Sequence, residues 1–448
     1  MSSILCASSR LNKIFFRTVK EVRKVENKVR EIYKENFTEY LLCLALDVGE
    51  GMLKNGGEVA RVEDTIERIC RAYGAVHVEV FTIISMINAA IRMPDGSYSS
   101  QLRRVKQTTT NLNTLEELNA LSRRVCREKP SLDVFDNELH DIKRSQPYPT
   151  WLHTLSSALV ACAFCLFFGG GIIDSVITFF IGLGVAVILN YPSARLNSMA
   201  KTVISSFVAA TLAGVALIIL PETNVDAIII GAIMLLVPGL MFGTSMRDLL
   251  CGDLIAGTLK ILQALIQTLM IGFGYMLSYA LLGDRLIPEV QAEQGNLFLI
   301  QIVTSFITSV TFAILLKANK RHLLNGGICG TLTFAAYFGI YAITSSLFWA
   351  AFVSTAVAAL FAEVNARAVK APSIIILMAG VIPTVPGGYL YRAVRDFVRG
   401  FTPSAISWLG GAAAVALGIA GGVISLSLVF NIINDYVAKK RKNNNKCK

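Results

Sequence analysis

The chain has 448 residues, of which 54% are hydrophobic and 16% charged, and its mean hydropathy is +0.56. Ordinary soluble domains carry about 25% charged residues, so a wholly soluble protein is excluded. The formal net charge of +11 does not point to nucleic acid: much of the excess sits beside apolar runs and in the tail Lys439-Lys440-Arg441-Lys442, where positive clusters mark cytoplasmic ends and meet anionic headgroups.

Residues 1–37 form a basic, amphipathic segment, and 38–150 read as a soluble α+β head. A helix over 38–55 carries Tyr40, Leu41, Leu44, Ala45, Val48 and Met52 on one face and stops at Asn55-Gly56-Gly57. A second runs from Glu58 to Tyr73 and ends at Gly74 as at a C-cap. Val76–Ile84, Ser85–Met93 and Ser97–Val105 read as strands, with Pro94-Asp95-Gly96 as the second turn. Asn113 or Thr114 caps a helix through Arg127, and Ser131–Ser145 reads as an amphipathic lead into the membrane. Glu58, Arg61, Glu63 and Asp64 cluster at one helix start, where the dipole alone favours acids; a structural role and a ligand role both remain open. His77 has no metal-ligating neighbour in sequence, and no phosphate-binding loop occurs, which excludes ATP-driven transport by that motif.

From Trp151 onward the chain is a series of apolar runs long enough to cross a hydrocarbon core of about 30 Å. Ten spans are expected: 151–170, 172–190, 202–220, 225–243, 254–282, 295–316, 325–343, 346–362, 373–391 and 405–433. They make two five-span halves, 151–282 and 295–433, with a basic tail over 434–448. The links at Gly169-Gly170-Gly171 and around Glu222 and Asp226 are poor in positive charge. Those with Arg195 and Lys201, with Lys317, Lys320 and Arg321, and with Arg367 and Lys370 are rich in it. The alternation places both termini in the cytoplasm. Arg392, Arg395 and Arg399 break the pattern by falling outside. They belong to an interfacial or re-entrant helix, point into a watery cavity, or mark a miscounted span.

Nine cysteines are scattered along the chain. Cys162 and Cys165 have redox or metal spacing, but they lie within an apolar helix and read as small packing residues. No cofactor or metal is expected.

One signature occurs twice. Val237-Pro238-Gly239 is followed by Arg247-Asp248, and Val385-Pro386-Gly387 by Arg395-Asp396, 148 residues later in every part. Because each half has an odd number of spans, the second copy enters the membrane upside-down, giving an inverted-topology repeat. Proline and glycine free backbone groups that lipid cannot satisfy, so helices broken there must face protein or a water-filled cavity. The expected substrate pathway is therefore Pro238, Gly239, Arg247, Asp248, Asp253, Pro386, Gly387, Arg395 and Asp396. Asp248 and Asp253 are the candidate proton carriers, since charge inside a membrane usually faces a partner or a pathway.

The run from Gly49 to Ile66, GEGMLKNGGEVARVEDTI, followed by Ala72-Tyr73-Gly74, resembles the head signature of the threonine/serine exporter family. The resemblance covers nearly the whole chain, and it implies the soluble head, two five-span halves and a Pro-Gly motif in the second. It also implies proton-driven export of threonine and serine across the cell membrane. In some relatives the halves are separate chains, linked to succinate export. The head positions carried over are Gly57, Glu58, Arg61 and Glu63. The partners implied are a small amino acid, protons and the lipid bilayer, and a homo-oligomer is left open. Export of a small dicarboxylate is the alternative substrate reading, and a membrane enzyme with a catalytic head the alternative class.

Overall fold

The computed structural model describes residues 36–106, 109–144, 148–191, 196–250, 252–283, 297–369 and 371–446, and side chains as far as Ile432. Cys6, Cys251, Cys447, Arg195, Lys370 and most of the 1–37 segment lie outside these residues, as do the side chains of the basic tail. The described chain forms two compact units.

The first unit holds α1 (Phe37–Lys54), α2 (Val59–Ala72), β1 (His77–Ile83), β2 (Met86–Arg92), β3 (Tyr98–Arg104), most of α3 (Leu112–Glu128) and α4 (Leu132–Arg144). The Asn36 side chain caps α1 by accepting from the Thr38 and Glu39 amides at 3.1 and 3.5 Å. At the other end Gly56 has φ +92°, a left-handed conformation that favours glycine. The Gly57 amide donates back to the Met52 carbonyl at 2.8 Å. A Cβ on Gly57 would press on the Met52 backbone. Val59, Val62, Ile66 and Ile69 recur at helical spacing and are buried on one face of α2.

The sheet is an antiparallel meander in the order β1-β2-β3, in register His77↔Arg92↔Tyr98 and Phe81↔Asn88↔Leu102. The Asp95 carboxylate accepts from the Ser97 amide and hydroxyl at 2.9 and 2.7 Å and closes the second turn. These bonds hold its carboxyl below the usual range. Alternation along β2 buries Ile87, Ala89 and Ile91 on the face that packs on α1. The segment read as a lead into the membrane is α4, and it belongs to this unit. It buries Phe135 and Leu139, packs on α1, and is joined to it by Tyr40 Oη–Asp136 at 3.2 Å and Lys143 Nζ–Asp47 at 3.2 Å.

The second unit contains α5 (Thr150–Phe167), α6 (Ile172–Asn190), α7 (Ser198–Ile219), α8 (Val225–Ile233), α9 (Gly239–Leu250), α10 (Leu254–Leu282), α11 (Leu297–Leu315), α12 (Leu323–Thr344), α13 (Leu347–Val369), α14 (Ser373–Val381), α15 (Gly387–Val398) and α16 (Thr402–Lys446). Among the described residues eight of these are long and apolar enough to cross a membrane, and nine if α14 and α15, which are bent by 42° at their break, are counted as one span; ten were expected. The stretches 225–243 and 373–391 are broken at the Pro-Gly pairs, and their second legs run beyond the expected ends. Each is a nine-residue helix, a break ending at Pro238-Gly239 or Pro386-Gly387, and a twelve-residue helix that runs on to Leu250 or Val398. Nine residues at about 1.5 Å each cover less than half of a hydrocarbon core, so neither leg spans alone. Both prolines lack the N–H that would continue the helix ladder.

The repeat extends well beyond the shared signature. α8 and α14, α9 and α15, and α10 and α16 begin 148 residues apart, and the paired legs have equal lengths. Gly252 and Gly400, again 148 apart, have φ +96° and +83°. The Asp253 amide bonds the Asp248 carbonyl at 2.9 Å, and the Phe401 amide bonds the Asp396 carbonyl at 2.8 Å. Each half also packs alike: α7 lies against α10 as α13 lies against α16. Gly274 lets α10 approach the Val203 carbonyl of α7, and Gly422 lets α16 approach the Phe352 carbonyl of α13. Close backbone approach at small residues is the usual packing between helices in lipid.

Candidate functional site

The two helix breaks meet. Gly239 lies directly against the Val385 side chain, with no room for a Cβ, and Gly387 lies against Met234 and Val237. Pro238, Gly239, Pro386 and Gly387, predicted on separate halves, are thus brought to one place. The Leu236 carbonyl, released from the helix ladder by the first break, accepts from the Gln267 side chain of α10 at 2.7 Å. At the second break the Thr384 hydroxyl bonds the Val381 carbonyl at 2.9 Å. Buried backbone groups need such partners.

From this centre the second legs run back along the opposite half. α15 packs on α8: Gly388 sits beside Ile230, and further along Arg395 donates to Asp226 at 2.7 Å while the Tyr391 hydroxyl donates to the same carboxylate at 3.1 Å. Arg395 also binds Asp396 at 2.8 Å, and Asp396 accepts from the Ser404 hydroxyl at 2.5 Å and the Trp408 indole at 3.0 Å. α9 and α14 face each other across a small cleft of about 50 Å³, lined by Leu240, Gly243, Thr244 and Arg247 on one side and Ile374, Leu377 and Met378 on the other, with α16 along its edge. The cleft is largely apolar; Thr244 and Arg247 are its polar lining.

Arg247 and Asp248 do not begin the fifth span as expected. They lie on α9, the second leg of the fourth. Asp248 is buried and pairs with Lys260 of α10 at 2.5 Å. Asp253 is the N-cap residue of α10, and its side chain makes no capping bond. Arg395 is not in an exterior link either; it lies within α15 and is paired. The network the structure brings together therefore combines Arg395 and Asp396 with Asp226, Tyr391, Ser404 and Trp408, which the sequence had not put forward as site residues. Asp226 had been read as link charge. The signal that could have found it is the misplaced Arg395, which needs a counter-ion wherever it enters the membrane.

In the head, Gly57 belongs to the turn between α1 and α2, and Glu58 is the N-cap residue of α2. Glu63 accepts the Thr82 amide at 2.7 Å and ties α2 to β1. Arg61 offers its carbonyl to the Thr65 hydroxyl. Among the described residues no group of three His, Cys, Asp or Glu side chains is arranged to hold a metal ion.

Two packed halves with paired broken helices, apolar outer faces and paired charges inside define a polytopic membrane protein of the carrier class. The chain belongs to the threonine/serine exporter family: the family model described as "Putative threonine/serine exporter" matches residues 43–282, and that described as "Threonine/Serine exporter, ThrE" matches 301–429. It is similar to a "Probable threonine/serine exporter" of Mycobacterium tuberculosis, 23% identical over 86% of this chain and 76% of the relative. It is also similar to the "Threonine/serine exporter" of Corynebacterium glutamicum, 22% identical over 86% and 81%. A "Probable succinate transporter subunit YjjP" of Escherichia coli is 27% identical over 54% of this chain and 94% of its own length. No solved structure matches. The chain is a multi-pass transporter of the cell membrane.

Proposed function

We propose that the protein exports small hydroxy amino acids, threonine and serine, by alternating access between two five-helix halves lying upside-down to each other, with both termini in the cytoplasm and inward proton movement as the driving force. The observation that carries this reading is the meeting of the two Pro-Gly breaks, Gly239 on Val385 and Gly387 on Met234 and Val237. In this reading each broken span, with its two legs, counts as one crossing, five to each half. Helix ends at such a break can offer N–H groups to a substrate carboxylate and C=O groups to an ammonium. A zwitterionic amino acid suits both. The names of the relatives from Mycobacterium tuberculosis and Corynebacterium glutamicum support the substrate class.

Export of a small dicarboxylate is the second reading. Arg247 and Arg395 favour it as carboxylate partners, as does the relative named for succinate. Membrane vesicles loaded with labelled threonine, serine or succinate separate the two. Efflux of threonine and serine that quickens with an inward proton gradient is expected. Efflux of succinate alone moves the second reading to first place, and efflux indifferent to the gradient removes proton coupling.

A further inference from the structure

The two ends of the repeat are built alike but furnished differently: Asp226, Tyr391, Ser404 and Trp408 have Ile374, Gly243, Ala256 and Lys260 at the equivalent positions, and the first of these differences decides whether the facing legs can be joined by an ion pair. Arg395 on α15 has Arg247 on α9 as its counterpart, and the helix facing each is the first leg of the opposite half. Where α8 presents Asp226 to Arg395, the equivalent position of α14 is Ile374. On the Asp226 side the legs are joined at 2.7 Å; on the Ile374 side they stand apart across the cleft.

We propose that Asp226 and Arg395 are the outer gate of the carrier, closed in this structure, and that the Arg247 cleft is its inner counterpart, closed in the cycle by apolar contact at Ile374 rather than by an ion pair. This rests on the exporter reading for its sidedness. Asp226 follows the positive-poor link around Glu222, which faces outward in that orientation. In that orientation the Arg247 cleft lies toward the cytoplasm, the side from which an exporter loads.

The geometry lets the gate open without stranding a charge. Arg395 and Asp226 side chains are 16% and 22% exposed, and separating a buried pair with nothing in its place is strongly unfavourable. Here Arg395 stays bound to Asp396, which is held by Ser404 and Trp408 of the same half. Asp226 lies in the first turn of α8, where the helix dipole favours a carboxylate. Opening therefore breaks two contacts, Asp226 with Arg395 and with Tyr391, and leaves each ion a partner. Asp226 is the arm that reaches across from the first half, and Asp396 keeps Arg395 in place on the second.

Sided cysteine labelling tests this in the full chain, inserted in vesicles with its native cysteines replaced. Val237→Cys reports on the break beneath the gate, and Leu240→Cys on the inner cleft. With Asp226 intact, a membrane-impermeant maleimide added outside reaches Val237→Cys slowly. With Asp226→Asn it reaches it about tenfold faster, a shift within the usual range of conformational coupling, and Asp226→Glu restores protection. Ile374→Asp, which sets a carboxylate opposite Arg247, lowers labelling of Leu240→Cys from the inside and slows efflux. Outside labelling unchanged by Asp226→Asn overturns the gate; so does Ile374→Asp leaving inside labelling as it was. Labelling needs no knowledge of the substrate. Wild-type vesicles that move no amino acid yet show the Asp226-dependent protection refute the exporter reading and leave the gate standing.

Discussion

Lys260→Ala takes away the ammonium that holds Asp248 at 2.5 Å, in a place where the carboxylate side chain is 8% exposed and the lysine 19%. Two charges 4 Å apart at an effective dielectric of about 20 attract by about 4 kcal/mol, and breaking a buried pair on one side costs about 3–5 kcal/mol. Asp248 also sits at the C-terminal end of α9, where the helix dipole is unfavourable to an anion. A loss of about 3 kcal/mol is therefore expected. Asp248→Asn alone strands Lys260 instead, whereas the double variant Asp248→Asn/Lys260→Ala strands neither, and its loss should fall short of the sum by about 2–3 kcal/mol. Unfolding of the four proteins in mixed micelles, followed by the fluorescence of the three tryptophans, gives this cycle directly. Losses that add to within about 0.5 kcal/mol refute the claim that the pair acts as a unit in a low-dielectric place.

Gly239→Leu puts a side chain where Val385 already stands and should abolish vesicle efflux; Val385→Ala in the same chain should restore part of it, and equal loss in both variants refutes the contact. Burial pushes the Cys70 thiol up to about 12 from 9.0. The raised value means that the neutral thiol stabilises the fold fully below about pH 9, and that this stability is lost as pH rises toward about 12, since the unfolded thiol ionises first. At about pH 8–9, alkylation of Cys70 in the native full chain, read by mass spectrometry, should be far slower than in denaturant; comparable rates refute the buried placement.

The elements of the head were legible because each has its own punctuation: Asn55-Gly56-Gly57 ends α1, and Asp95-Gly96 closes the turn before β3. The spans were legible by length and apolarity, but the ends of 225–243 and 373–391 were set short, because the second legs carry Arg247, Asp248, Arg395 and Asp396 and hydropathy falls there. The Pro-Gly pairs marked where the ladder breaks, and the shared spacing of 148 showed that the breaks are equivalent. The expected site residues supplied Arg395 and Asp396 but not Asp226 or Tyr391, because pairing between α8 and α15 depends on which legs lie side by side. In the head, Glu63 was legible as a helix-start acid; its bond to the Thr82 amide is a tertiary contact that no local pattern carries. The amphipathic stretch Ser131–Ser145 was legible as a helix of the head, but its packing on α1 was not, because amphipathicity says that a face is buried, not what buries it.

Gln267 reaches from α10 to the released Leu236 carbonyl, while the equivalent position on α16 is Val415 and the second break secures itself through Thr384. The first kink is thus tied by a side chain to a neighbouring helix, whereas the hydroxyl bond at the second stays within its own turn.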